Sequence, residues 1–123
     1  AKVAVTPMNG FTRFAGTMEI AGINHNINKT RVESIANAAT RYYPDINLTS
    51  EEKSEAASGL RPVSPDGLPY IGKSSKCKNL TIATGHAMMG WSMGTATGKL
   101  VSEIISEQKP SLELTNYNPD RRF

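Results

Sequence analysis

Residues 59–72 form a stiff segment around one arginine whose side chain could bind an anion. The segment reads GLRPVSPDGLPYIG, and its three prolines fix φ while its three glycines allow tight turns. Arg61 lies between Leu60 and Pro62, a setting that favours a held side chain over a freely moving one. The planar guanidinium suits bidentate binding of a carboxylate or phosphate. The alternative is a structural arginine paired with a neighbouring acid, and this segment alone does not decide between the two.

A second candidate site is the glycine-rich stretch 85–94, which reads GHAMMGWSMG. A predicted buried strand (79–84) precedes it, and a helical apolar pattern begins at Thr95. A helix N-terminus presents unpaired N–H groups and about +0.5 of an elementary charge, so it favours an anion or an oxygen that gains negative charge. The glycines allow close approach to a flat ligand, and Trp91 with three methionines offers an apolar surface. A tight connection whose methionines fill the core is the alternative.

The remaining reactive side chains give weaker signals. His86 could act as a base, but the sequence shows no partner for it. His25 lies between two asparagines in a polar stretch, which favours an exposed loop histidine over a metal ligand. Cys77 is the single cysteine, so an intramolecular disulfide and cysteine-rich metal sites are excluded, and a reducing compartment is favoured. The chain contains no Gly-x-Gly-x-x-Gly motif for a dinucleotide.

The composition is that of an ordinary soluble domain. The 123 residues are 38% hydrophobic and 20% charged, with a net charge of +3. The basic residues are scattered, so nucleic-acid binding is not expected. No apolar run approaches the roughly 20 residues that span a bilayer, and no signal peptide is visible. The chain begins at Ala1, without methionine, directly in strand-like sequence. We therefore expect a fragment whose natural core lies partly elsewhere.

The first half of the chain should form a hairpin and a helix. Residues 2–6 and 11–15 predict two strands joined by a turn at Asn9-Gly10, with a bend at Gly16 and further extended chain over 17–21. Asn28 or Thr30 can cap a helix that should end near Tyr43, because Pro44 disfavours helical geometry before it. Residues 45–58 suit either a short helix or a surface loop.

The second half should contain the strand at 79–84 and a helix from Thr95 that Pro110 ends, followed by a loop-like tail. Apolar residues recur on one face of that helix. The predicted fold class is therefore α+β, with an antiparallel sheet and two main helices.

Several of these motifs together resemble a known family. The stretches at 59–62, 65–72, 79–80, 84–86 and 90–93 resemble the C-terminal part of FAD-dependent D-amino acid dehydrogenases, within the wider D-amino acid oxidase and glycine oxidase family. Residues 13–19 are similar to the family's substrate-domain strands, and residues 121–123 fit its C-terminus. The resemblance implies substrate-domain sequence over 1–58, the anchor segment, flavin-edge loop and last helix over 59–123 in a single compact unit, and an absent N-terminal FAD segment.

The resemblance also implies roles for individual residues. Arg61 would bind the substrate carboxylate through a two-pronged ion pair, while the following helix would direct its positive end at flavin N1 and the C2 carbonyl. Hydride would pass from the amino-acid Cα to FAD N5, and the imino acid would hydrolyse to a 2-oxo acid and ammonia. No catalytic side chain and no metal are implied. The residues implied to line the flavin edge are Gly85, His86, Ala87, Met88, Met89, Gly90, Trp91, Ser92 and Met93.

The implied partners are an amino-acid substrate, the rest of the polypeptide, and a quinone or other electron acceptor, in a bacterial enzyme of the cytoplasm or the periphery of the inner membrane. Two departures leave the substrate open. Ala56, Ala57 and Ser58 stand where the dehydrogenases carry an aromatic residue, and Met88 stands where glycine oxidase-like members place an arginine. The alternatives are an enzyme of glycine, sarcosine or a cyclic imino acid, a non-catalytic module that binds a carboxylate, and a fragment without independent function.

Overall fold

The structure is a computed structural model that describes residues 2–123. These residues form two compact units, one ending at Leu60 and the other spanning Arg61–Phe123. The predicted α+β class is confirmed, although the described chain has two small antiparallel sheets instead of one sheet. The first unit contains β1 (Val3–Pro7), β2 (Thr12–Gly16), α1 (Lys29–Tyr42) and α2 (Ser50–Ser54), and the second contains β3 (Tyr70–Lys73), β4 (Thr81–Thr84), α3 (Gly90–Ile105) and a 3₁₀ turn (Thr115–Tyr117).

The predicted hairpin is confirmed. β1 and β2 pair antiparallel, and Gly10 in the turn between them has a φ of +86°. Glycine adopts this left-handed conformation without steric cost. The Met8 N–H donates to the Phe11 carbonyl at 2.8 Å and closes the turn. The predicted extension of the second strand over 17–21 is wrong. Thr17 adopts a left-handed φ of +61°, which turns the backbone out of the pleat and ends β2 at Gly16.

Both helices of the first unit begin at side-chain caps. Asn28 is the N-cap of α1, and its Oδ1 accepts the Thr30 N–H at 3.0 Å, so the cap is Asn28 and not Thr30. Of the two possibilities for 45–58, the short helix forms as α2. Its N-cap Thr49 and Glu52 make a reciprocal capping box.

The second unit is built around β3, β4 and α3. β3 and β4 pair antiparallel, and the small core includes Ile71 on β3 and Leu100 on α3, which are 3% and 6% exposed. β3 was not predicted, because the prolines and glycines before and within it mask a strand of four residues. The predicted start of α3 at Thr95 is also wrong. The helix begins at Gly90 despite the low helix propensity of its first glycines, and the Met93 N–H donates to the Met89 carbonyl at 2.9 Å in its first turn.

Among residues 2–123, no helix is both long and apolar enough to cross a lipid bilayer. The same part of the chain contains no cluster of histidine, cysteine and acidic side chains able to hold a metal ion.

Candidate functional site

The two stretches predicted to carry chemistry lie side by side in the second unit. Val63 and His86 form an antiparallel β-bridge, and the Ala87 N–H donates to the Pro62 carbonyl at 3.1 Å. Arg61 directly precedes this contact. The backbone that carries Arg61 is therefore fixed to the turn that leads into α3.

The Arg61 side chain is exposed, and it makes no hydrogen bond or ion pair with any residue between 2 and 123. The acid nearest to it in sequence, Asp66, is bound instead by Arg121. The alternative interpretation of Arg61 as a brace paired with a neighbouring acid therefore finds no partner in the described chain. The guanidinium retains its full set of donors for a ligand.

The turn between β4 and α3 depends on one glycine. Gly85 is buried and has φ +82°, and the next residue but one, Ala87, also has a positive φ of +49°. A Cβ on Gly85 would lie 3.3 Å from the Tyr70 ring and 3.7 Å from the Ser64 Cβ. The Met89 N–H donates to the His86 carbonyl at 2.8 Å and closes the turn. The close packing of Gly85 against Tyr70 and Ser64 restricts the position of the turn from which α3 starts.

The N-terminus of α3 has no side-chain cap. Its N-cap residue is Met89, and its first turn contains no acidic side chain. The first N–H groups of a helix have no partner within the helix, so here they and the positive end of the dipole are available to an external acceptor. The apolar side chains beside this end are exposed, by 99% for Trp91, 63% for Met88 and 53% for Met89.

Of the nine residues predicted to line a flavin edge, only the first five lie in the turn. Gly90, Trp91, Ser92 and Met93 form the first turn of α3. The stretch is therefore a tight turn plus a helix start, and not one continuous loop. The loop prediction was wrong in this respect because it started the helix five residues too late.

His86 has a hydrogen-bond partner that the sequence did not indicate. Its Nε2 lies 3.0 Å from the Thr97 Oγ1, two turns into α3. Both residues are half-buried. This contact ties the turn to the helix, so the histidine has a structural role whichever ring nitrogen carries the proton.

Arg121 is a residue that sequence reasoning missed, since its tail was predicted only as loop. Its Nε and Nη2 donate to the two carboxylate oxygens of Asp66, each at 2.9 Å. Its guanidinium also donates to the carbonyls of Leu68 at 2.6 Å and Pro69 at 3.2 Å, and lies 3.9 Å from the Tyr70 ring centre. Hydrogen bonding to Arg121 holds the pKa of the Asp66 carboxyl well below its usual range.

Known proteins that are similar to this chain identify its family. Residues 1–104 match the family described as DAO, FAD dependent oxidoreductase. The chain belongs to this family. It is 33% identical over 120 residues to a D-amino acid dehydrogenase of Bradyrhizobium diazoefficiens, an alignment that covers 98% of this chain and 28% of that relative.

A crystal structure of similar fold is that of glycine oxidase from Geobacillus kaustophilus. It matches with a TM-score of 0.63 at 18% identity, over 98% of this chain and 32% of that one. At this identity the likeness supports the fold alone. The chain thus spans between about a quarter and a third of the length of these two proteins.

Proposed function

We propose that this chain is the C-terminal part of an FAD-dependent D-amino acid dehydrogenase, which oxidises a D-amino acid to a 2-oxo acid and ammonia. The observation that carries the proposal is the backbone junction between Pro62–Val63 and His86–Ala87, which sets Arg61 beside the uncapped start of α3. The backbone of an arginine suited to anion binding is thus joined to the turn before a helix end suited to a polar ring edge. The 33% identity to a D-amino acid dehydrogenase supports the choice of substrate class.

Arg61 binds the substrate carboxylate in this proposal. Its five N–H donors are arranged as a planar fork that matches the two carboxylate oxygens. The guanidinium is not engaged by another group among residues 2–123, so it can give both prongs to a ligand. The neighbouring Pro62 and the β-bridge at Val63 restrict the backbone on which this side chain stands.

The turn and first helical turn at 85–93 suit the pyrimidine edge of FAD. Uncapped N–H groups, the positive end of α3 and the absence of acidic side chains favour an oxygen or nitrogen that gains negative charge. The exposed Met88, Met89 and Trp91 side chains give an apolar surface that would exclude water from a bound ring. The residues present therefore fit the cofactor that the family uses.

Bound FAD would supply the acceptor for the hydride that leaves the substrate Cα. The substrate loses two electrons and two protons in all, and water then converts the imino acid to the 2-oxo acid and ammonia. The chain itself supplies binding and orientation: Arg61 holds the carboxylate, and the turn at His86 fixes the distance between that anchor and the helix end. A quinone or another electron carrier would reoxidise the flavin.

Replacement of Arg61 in the full-length, FAD-loaded protein tests the proposal. Loss of one partner of a desolvated bidentate charge pair costs about 2–5 kcal/mol, so Arg61→Ala should raise KM for D-amino acids between roughly thirtyfold and a few thousandfold. The KM of Arg61→Lys should lie between the values of the wild type and Arg61→Ala, because an ammonium keeps the charge without the planar fork. FAD content, read from the flavin absorbance, should stay unchanged. An unaltered KM in Arg61→Ala would refute the assignment.

The substrate profile of the same protein distinguishes a D-amino acid dehydrogenase from an enzyme of glycine, sarcosine or a cyclic imino acid. Reduction of the flavin by D-alanine but not by glycine, sarcosine or L-proline would support a D-amino acid dehydrogenase. Reduction by glycine or sarcosine alone would move the assignment to another enzyme on the same scaffold. A full-length protein without a flavin spectrum would instead indicate a non-catalytic module.

A further inference from the structure

We propose that Arg121, in the C-terminal tail, is a positioning residue that holds the segment carrying Arg61 in its binding conformation. The inference rests on the proposed function of Arg61, and it assigns a role in substrate binding to a residue 60 positions away in sequence. Arg121 itself does not contact the substrate in this proposal. It acts through the turn that follows Arg61.

The contacts of Arg121 fix backbone as well as side chain. Two of its nitrogens bind the Asp66 carboxylate, and two bind the carbonyls of Leu68 and Pro69. The face of the guanidinium lies on the Tyr70 ring. The Arg121 side chain is only 11% exposed, and the Asp66 side chain is 28% exposed. Arg121 thus contacts four of the five residues from 66 to 70.

The path from 66 to 61 is short and internally bonded. The Leu68 N–H donates to the Asp66 Oδ1 at 3.1 Å, and the Gly67 N–H donates to the Ser64 carbonyl at 3.3 Å, which together close the turn. Ser64 is buried, at 4% exposed, and the next residue back, Val63, forms the β-bridge to His86. Only residues 62–65 connect the Asp66 turn to Arg61, so we expect a rearrangement of that turn to reach Arg61.

The chain directly after Arg61 is therefore held at two places. The His86–Ala87 turn holds residues 62 and 63 through backbone bonds, and Arg121 holds residues 66–70 through its guanidinium. Without Arg121, the Asp66 carboxylate keeps only the Leu68 N–H of these donors, the carbonyls of Leu68, Pro69 and Asn118 lose the guanidinium, and the turn can rearrange. We expect the orientation of the Arg61 fork to spread, which weakens carboxylate binding and leaves the flavin in place.

The test uses the full-length, FAD-loaded protein with D-alanine as the probe. Arg121→Gln should raise KM at least tenfold, with kcat changed less than twofold and FAD content unchanged. Arg121→Lys should remain impaired, because one ammonium cannot serve two carboxylate oxygens and two carbonyls. Arg122→Gln is the matched control: this neighbouring arginine is exposed and takes no part in the hydrogen bonds or ion pairs of residues 2–123, and its KM should equal that of the wild type.

A double variant separates positioning from general destabilisation. If Arg121 acts through Arg61, adding Arg121→Gln to Arg61→Gln should change KM less than twofold further. The same tenfold increase in both backgrounds would overturn the proposal, and so would a wild-type KM in Arg121→Gln. If Arg121→Gln does not accumulate as soluble protein, Asp66→Asn removes the charge pair with a side chain of the same size, and the same outcomes apply.

Hydrogen exchange provides a readout that does not depend on activity. Arg121→Gln should speed amide exchange in peptides that cover 61–70, with peptides from the middle of α3 unchanged. Equal exchange in the variant and the wild type would refute the positioning role. If Arg61→Gln alone leaves KM unaltered, the proposed function fails, and exchange over 61–70 still decides whether Arg121 holds this segment.

Discussion

Gly85 offers the sharpest test of how the fold positions the turn before α3. Gly85 has a φ of +82°, which lies in the left-handed region, and the residue is buried. An alanine at this position must adopt the same φ or move His86 and Ala87, which carry the contacts to the Arg61 segment. The substitution Gly85→Ala adds one methyl group and changes no charge or hydrogen bond.

Two effects set the magnitude. The left-handed backbone costs an alanine about 1–2 kcal/mol. The new methyl would meet the Tyr70 Cδ2 at 3.3 Å, the Pro69 Cα at 3.6 Å and the Ser64 Cβ at 3.7 Å. Tyr70 has little room to give, because Arg121 lies 3.9 Å from its ring centre. Overpacking of this kind costs about 1–3 kcal/mol, so the free energy of unfolding should fall by about 2–5 kcal/mol in total.

Urea unfolding followed by far-ultraviolet circular dichroism measures this difference. Gly98→Ala is the matched control in the same chain: it is exposed in the interior of α3, and a Cβ there meets nothing within 4 Å. That change should raise the free energy of unfolding by about 0.5–1 kcal/mol, since alanine is the better helix former. A Gly85→Ala variant with the wild-type urea midpoint would show that the turn does not need its left-handed glycine, and the account of the site would fail with it.

Two further predictions concern the second unit. Leu100→Ala removes a side chain that is 6% exposed and should lower the free energy of unfolding by about 2–5 kcal/mol, whereas Ile105→Ala, at 63% exposed, should cost far less; similar losses in both would contradict the assigned core. The Asp66 carboxyl should titrate below its ordinary pKa of 3.8 in a carbon-detected NMR titration, because Arg121 stabilises its ionised form. The sign follows from linkage: the stability that Asp66 contributes is complete above its unfolded pKa and is lost as pH falls through the lowered folded pKa. The stability difference between wild type and Asp66→Asn should therefore shrink on acidification, and a carboxyl that titrates near 3.8 would refute the pairing.

Local signals predicted the elements that local chemistry determines. Asn9-Gly10 indicated the hairpin, in which Gly10 has a positive φ, and a cap at Asn28 or Thr30 together with Pro44 indicated the bounds of α1. The errors arose where tertiary packing outweighs propensity. β3 follows a proline and includes a glycine, and α3 begins at a glycine, so neither has a favourable local sequence at its start. In the second unit α3 packs against β3, and Ile71 on the strand and Leu100 on the helix are both buried.

In the candidate site, too, the sequence indicates the chemistry of single residues but not which of them come together. The chemistry of Arg61 and of the glycine-rich turn follows from residue type, but their proximity depends on a β-bridge between residues 23 positions apart, Val63 and His86, which no local pattern encodes. The same holds for Arg121 and Asp66, which are 55 positions apart.

The two arginines of the second unit that matter most are chemically identical, and only their surroundings assign their roles. From sequence, Asp66 is the natural partner for Arg61, five positions away, and that pairing would make Arg61 a brace. The fold gives Asp66 to Arg121, whose fork is then saturated by one carboxylate and by backbone carbonyls. A saturated guanidinium cannot bind a substrate without breaking bonds that hold the turn, whereas the Arg61 fork has all its donors available within the described chain. For this reason we assign the substrate carboxylate to Arg61 and the positioning of its segment to Arg121.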